Sequence, residues 1–271
     1  MSQIKAPKKL ISFRKNLKWP ELMHKEFTKL DDIKIPEEFW NLYKRLGEEL
    51  KYSNRFNISK DLQGAIGEYI QHHLKRKVFT LESGSIFYRA RINAIDKNDP
   101  YGTEEMGAPP RGLATSGRIN PDGISYLYLA KSIETAIAEV RPWVGARISL
   151  AKFALKRSAE VVSLNPKKLS NLKQYEIENI VRDALNSVAI SKFYFATPAH
   201  NADRLAYLPS QYLAELFKSE GVDGIEYDSV LNRNGENVAL FDTSAAECVG
   251  VELHIVNEVN YSSSLVEVAN H

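Results

Sequence analysis

The hydrophobic period changes once along the chain, near residue 84, and that change constrains the fold more than any other feature. Before it, "PEEFWNLYKRLGEEL" sets Phe39, Leu42, Tyr43 and Leu46 at the i, i+3, i+4, i+7 spacing of an amphipathic helix. Pro36, Glu37 and Glu38 suit its first turn, and "DLQGAIGEYIQHHLKRK" reads as a second helix. After the change, short alternating runs are punctuated by Gly, Pro and Asn. "SIFYRARI", "ISYLYLA", "ARISLAKFAL", "AEVVSLN", "DGIEYDSV", "ENVALFD" and "ECVGVELHIV" predict strands.

Helices are expected among them. "SIETAIAEVR" has Ser132 as N-cap. "QYEIENIVRDALNSVAISKF" is long and periodic, and "PSQYLAELFKSEG" has Pro209 in its first turn and Gly221 past its end. The order predicts an α+β domain with a mixed sheet, preceded by a small helical segment. The expected divisions are residues 1–80 for the helical segment, 81–258 for the domain and 259–271 for a tail, with "NYSSSLVEVANH" read as loose. The polar stretch "DKNDPYGTEEMGAPPRGLATSG" is too long for a simple connection, and loops of that length tend to be functional.

Composition narrows the function classes. With 44% hydrophobic and 10% aromatic residues, the 271-residue chain can build a core. A net charge of +2, from 36 basic and 34 acidic residues, gives no basic stripe for nucleic acid. The lone Cys248 excludes an intramolecular disulfide and a multi-cysteine metal site. In its apolar run it reads as a small hydrophobe. The lysine-bearing start "MSQIKAPKKLISFRKNLKWP" has no apolar core of a secretory signal, and no apolar stretch approaches a membrane span, so a cytoplasmic protein is expected. There is no GxGxxG after a strand and no GxxxxGK[ST]. The scattered histidines offer no metal-ligand spacing, and no metal site is expected.

The candidate chemistry lies in the strand-and-loop half. Arg89 and Arg91 share a side of "FYRARI". Arg118 sits in the turn-rich "SGRINPDG". Guanidinium groups suit phosphate or carboxylate, because the planar fork donates two hydrogen bonds and keeps its charge. Tyr126 and Tyr128 share a strand face where a ring can stack on a base or sugar edge. Glu139 sits at the margin of the helix stripe Ile133, Ala136, Ile137 and Val140, placed to meet an arginine or a ligand hydroxyl. Brought together, these residues would suit a ligand carrying pyrophosphate and ribose. The competing reading has the arginines snorkelling to solvent, the tyrosines packing a core edge and Glu139 on a solvated helix end. Spacing alone leaves both open.

The wording of these motifs is informative in itself. "FYRARI", "MGAPP", "SGRINPDGISYLYLA", "TAIAEVRPWVG", "PSQYLAELFKSEGVDGIEYDS" and "GENVALFD" occur in an order that resembles the RES domain family, over about residues 84–243. The resemblance implies a fold related to ADP-ribosyltransferases, with a cleft for NAD⁺. It also implies a toxin that degrades NAD⁺ by phosphorolysis or hydrolysis. The alternatives within it are ADP-ribosylation of a protein target, or a binding module without turnover. No resident cofactor is implied: NAD⁺ is substrate and inorganic phosphate a co-substrate. An Xre-type helix-turn-helix antitoxin is the implied partner, together with homo-oligomers, but neither direct nucleic-acid nor membrane contact is.

Carried over by motif, the name-giving arginine, glutamate and serine fall at Arg89, Glu139 and Ser229, with Ser210 in "LPSQY" as the rival serine. In this carry-over Glu139 stabilises the oxocarbenium character that builds on the ribose. Arg89 and Arg118 hold pyrophosphate or attacking phosphate, with Arg91 beside them. Tyr128 stacks on the nicotinamide or its ribose, and Ser229 bonds the ribose or phosphate. Ser210 opens a helix whose free N–H groups can hold a phosphate. This chain carries Ile119 where the common short form has tryptophan, and its loop around "MGAPP" is longer.

Overall fold

The computed structural model describes residues 37–76, 78–165 and 204–261. The helix expected in "QYEIENIVRDALNSVAISKF", and all but the first three residues of the expected tail, lie outside the described residues. Two helices come first, α1 (Glu37–Tyr52) and α2 (Lys60–Arg76). The stripe read from α1 turns inward, with Tyr43 and Leu46 fully buried and Leu42 packed beside them. Leu62, Ile66 and Ile70 do the same for α2.

Eight strands follow: β1 (Val78–Leu81), β2 (Ile86–Ile92), β3 (Leu127–Ala130), β4 (Arg147–Leu155), β5 (Ala159–Ser163), β6 (Gly224–Asp228), β7 (Glu236–Leu240) and β8 (Ala246–Ile255). Two further helices are α3 (Ile133–Glu139) and α4 (Leu208–Ser219). Ser132 caps α3, its hydroxyl accepting the Thr135 N–H. β1 has no counterpart in the sequence reading, because four residues show too little alternation to register. The division expected at residue 80 runs through it. Within "ISYLYLA" only Leu127–Ala130 is strand; the segment before it closes a turn.

The sheet order is β1-β5-β6-β7-β3-β2-β4-β8. Neighbours are antiparallel except β5 and β6, which are parallel, so the sheet is mixed. β4 and β5 are five positions apart in this order, about 24 Å in a flat sheet at about 4.8 Å per strand. Only Lys156, Arg157 and Ser158 join them, a reach of about 15 Å at 3.8 Å per Cα step. The sheet must therefore curl. Its concave side is filled by Phe87, Leu127, Leu129, Phe153, Val161 and Val238 in one cluster.

The opposite side carries the helices. α1, α2 and α4 share a core with β5, β6 and β7, so the N-terminal helices are part of the same hydrophobic body as the sheet. The short α3 lies further along, over Ala130 of β3 and Leu150 of β4. No helix among the described residues is long and apolar enough to cross a membrane.

Candidate functional site

On the helical side, between α3 and the start of α4, the sheet is left uncovered by a cleft of about 530 Å³. Its floor is a register row: Tyr88 of β2 opposes Ala130 of β3, which opposes Asn237 of β7, which opposes Tyr227 of β6. Residues in such a row point to one face. All four line the cleft. Ala130 is the small member, leaving depth between larger neighbours.

Arg118 reaches the cleft from a turn held on two sides. Tyr128 donates its hydroxyl to Oδ1 of Asn120 at 2.8 Å and accepts the N–H groups of Ile119 and Asn120 at 3.1 and 3.2 Å. Gln211, in the first turn of α4, donates its amide to the carbonyls of Gly117 and Asn120 at 2.8 and 3.1 Å. A methyl at Gly117 would come within 2.3 Å of Asn120 Oδ1, so only glycine permits this closeness. Ile119 is fully buried beneath the turn. Tyr128 therefore shows its ring to the cleft while its hydroxyl holds the turn. Burial pushes its pKa up to about 12, against the pull of the two N–H donors.

Ser210 belongs to the same clamp. It is fully buried and donates its hydroxyl to the Arg118 carbonyl, with the Tyr207 carbonyl 2.9 Å away. The hydroxyl thus bears on the turn from below. Tyr126 lies just before β3 rather than on it, and packs into the core beneath α4, its ring centroid 4.9 Å from that of Phe241.

Arg89 and Arg91 separate despite their shared parity. β2 and β3 pair at one position only, Tyr88 with Ala130. Arg89 uses the gap beside it, donating to the Tyr128 carbonyl at 3.2 Å and lining the cleft. That carbonyl is its one hydrogen-bond acceptor among the described residues, and no carboxylate pairs with it there. Burial, and next the charge of Arg91, pull its pKa below the usual arginine range. Arg91 is exposed and lies outside the cleft lining. It stacks over Tyr101 at 4.0 Å and donates to the Glu105 carbonyl at 3.1 Å, pinning the long loop.

Glu139 ends α3 half-buried at the cleft wall. Its Oε1 accepts both the Ser229 hydroxyl and the Asn237 amide, each at 2.7 Å. Oε2 has no such donor among the described residues. Ser229 arrives on the β6–β7 connection, which is tied to α3 where Asn232 donates to Thr135 Oγ1 at 2.8 Å.

Arg89, Arg118, Tyr128 and Glu139 thus line one cleft, Ser229 stands behind the carboxylate, Ser210 lies beneath the turn and Arg91 serves the loop. Sequence reasoning passed over Asn237, Asn120, Gln211 and Tyr227. One signal was available: asparagine is depleted in strands, and Asn237 directly precedes the apolar run Val238–Leu240 within β7.

Chemically, the cleft brings half-buried arginine charge and a braced carboxylate into one lining. Comparison with known proteins places this arrangement. The family model described as RES domain matches residues 86–262. No curated protein matches the chain. Among solved structures it is similar to a chain from the crystal structure of the M. tuberculosis MbcT–MbcA toxin–antitoxin complex, with 14% identity and a TM-score of 0.40 over 69% of this chain and 92% of that one. The matched span covers the whole sheet from β2 onward, the cleft included, and the chain belongs to the RES domain family.

Proposed function

We propose that the protein degrades NAD⁺ by cleaving its nicotinamide–ribose bond, and that it acts as a toxin restrained by an Xre-type antitoxin protein. The observation that carries this reading is Arg89, a cation in the cleft whose one acceptor among the described residues is a carbonyl. Burying a charge without a counter-ion is costly, and an anionic ligand supplies the missing partner. Family membership supports the substrate class.

In this mechanism Arg89 and Arg118 grip the pyrophosphate or an incoming phosphate. The Tyr128 ring lies along the nicotinamide ribose and keeps water from it. As the C1′–N bond breaks, both electrons go to the nicotinamide nitrogen, which was cationic, so nicotinamide departs neutral and needs no general acid. Positive charge builds on the ribose, and Oε2 of Glu139 stabilises it. A phosphate oxygen then bonds to C1′, giving ADP-ribose-1″-phosphate. If water attacks instead, one proton is released and ADP-ribose forms.

Incubation of the purified protein with NAD⁺, with and without inorganic phosphate, tests the reading by mass analysis of the products. The phosphorylated product appearing only with phosphate indicates phosphorolysis, and ADP-ribose in both buffers indicates hydrolysis. An unchanged NAD⁺ pool would overturn the proposal.

A further inference from the structure

The residue after the C-cap of α3 is Arg141, at φ 49°. Its N–H closes the helix end on the Ala138 carbonyl at 3.0 Å, and Pro142 follows. This is the left-handed helix-terminating position that glycine normally takes. The same chain obeys that preference at the end of α4, where Gly221 follows the C-cap Glu220 at φ 92°. Among the described residues, the only other non-glycine at positive φ is Asn234, a residue type that tolerates the conformation. Arg141 is the exception, placed where its backbone is strained.

Packing does not account for it. Arg141 is exposed, and no hydrogen bond or ion pair holds its guanidinium among the described residues. What distinguishes this helix end from that of α4 is location: Arg141 lines the cleft, two residues beyond Glu139. An outlying backbone conformation kept at a cleft, with an unused five-donor cation on it, is strain retained for a ligand.

We propose that Arg141 binds a second phosphoryl group at the mouth of the cleft, so that the site takes a diphosphate ester, with one phosphate near Arg118 and Arg89 and the other on Arg141. The inference rests on the nucleotide reading above and adds that discrimination between diphosphate and monophosphate ligands lies in Arg141.

The test uses the full chain and its Arg141→Gly variant, with ADP-ribose and AMP as probes in calorimetric titration. The expected result is ADP-ribose binding weakened by about tenfold or more, the loss of a charge-assisted contact, with AMP binding unchanged. Since glycine suits the left-handed position, the unliganded variant should melt about 2 °C or more above the parent. Equal weakening for both probes, unchanged ADP-ribose affinity, or a parent that binds neither probe would overturn the inference. NAD⁺ consumption is measured separately. Consumption with an unaltered KM in Arg141→Gly sinks this inference and leaves the proposed reaction standing. An Arg141-dependent ADP-ribose site on a protein that never consumes NAD⁺ does the reverse.

Discussion

Ser229 and Asn237 donate to the same oxygen of Glu139, each at 2.7 Å. Two donors on Oε1 orient the carboxylate, while Oε2 has no donor among the described residues. Glu139→Gln keeps the shape and removes the charge. NAD⁺ turnover should fall by about 100-fold or more, the scale of losing one electrostatic stabiliser, with the melting temperature little changed. A variant that keeps full turnover would remove Glu139 from the mechanism.

In the proposed reaction Asn237 acts through Glu139, as a positioning residue. Asn237→Asp replaces a donor by a second carboxyl facing Oε1, and like charges that close raise each other's pKa. The acid limb of the pH–rate profile should move to higher pH, and more so than in Asn237→Ala, which only loses the donor. Identical profiles for the two variants would reduce Asn237 to a structural role.

Arg89 sets stability against binding. Its guanidinium is half-buried with a single carbonyl acceptor among the described residues, so Arg89→Met should leave the melting temperature equal or higher while substrate affinity falls by about tenfold or more. Thermal melts beside NAD⁺ kinetics check both halves. A large drop in melting temperature would mean that the charge is satisfied in the folded chain.

The turn that carries Arg118 has no room at Gly117, where an added methyl would sit 2.3 Å from Asn120 Oδ1 and 3.1 Å from the Tyr128 hydroxyl. Gly117→Ala should displace the turn, cost about 1–3 kcal/mol through overpacking and raise KM. Gln211→Ala removes the donor to the Gly117 carbonyl and leaves the Asn120 carbonyl only the Gly117 N–H, and should act in the same direction. Denaturant unfolding and steady-state kinetics on both variants make the comparison.

Alkaline pH should loosen the same turn. The Tyr128 phenol has a pKa near 12 in the folded chain, against about 10 unfolded. Its contribution is complete below about pH 10 and is lost as pH rises through about 12. Burial pushes Tyr43, Tyr126 and Tyr227 the same way. Calorimetric melting temperature should therefore decline steeply above pH 10. The gap between parent and Tyr128→Phe should narrow over that interval, and a constant gap would contradict the assignment.

Much of the molecule is legible in local pattern. Alternation over "IFYRARI" and the stripe Leu42, Tyr43 and Leu46 are dictated by burying one face of a strand or helix, and both appear as β2 and α1. Arg89, Arg118, Tyr128 and Glu139 can be singled out in sequence by residue type and motif, and they line one cleft. The short β1 was not legible, because its stability comes from pairing with β5, some eighty residues later in the chain.

What sequence alone determined was the type and order of elements and the chemical character of the candidate residues, since both follow from side-chain period and functional group. What tertiary structure decided was which of them meet. Arg89 and Arg91 have the same residue type and strand parity. They part because β2 pairs with β3 at a single position and leaves Arg89 a gap. Ser229 and Asn237 lie 90 and 98 residues from Glu139 in the chain. They reach one carboxylate oxygen because the β6–β7 connection docks on α3. Convergence of that kind depends on register and on the curl of the sheet, neither of which is carried by any local stretch of sequence.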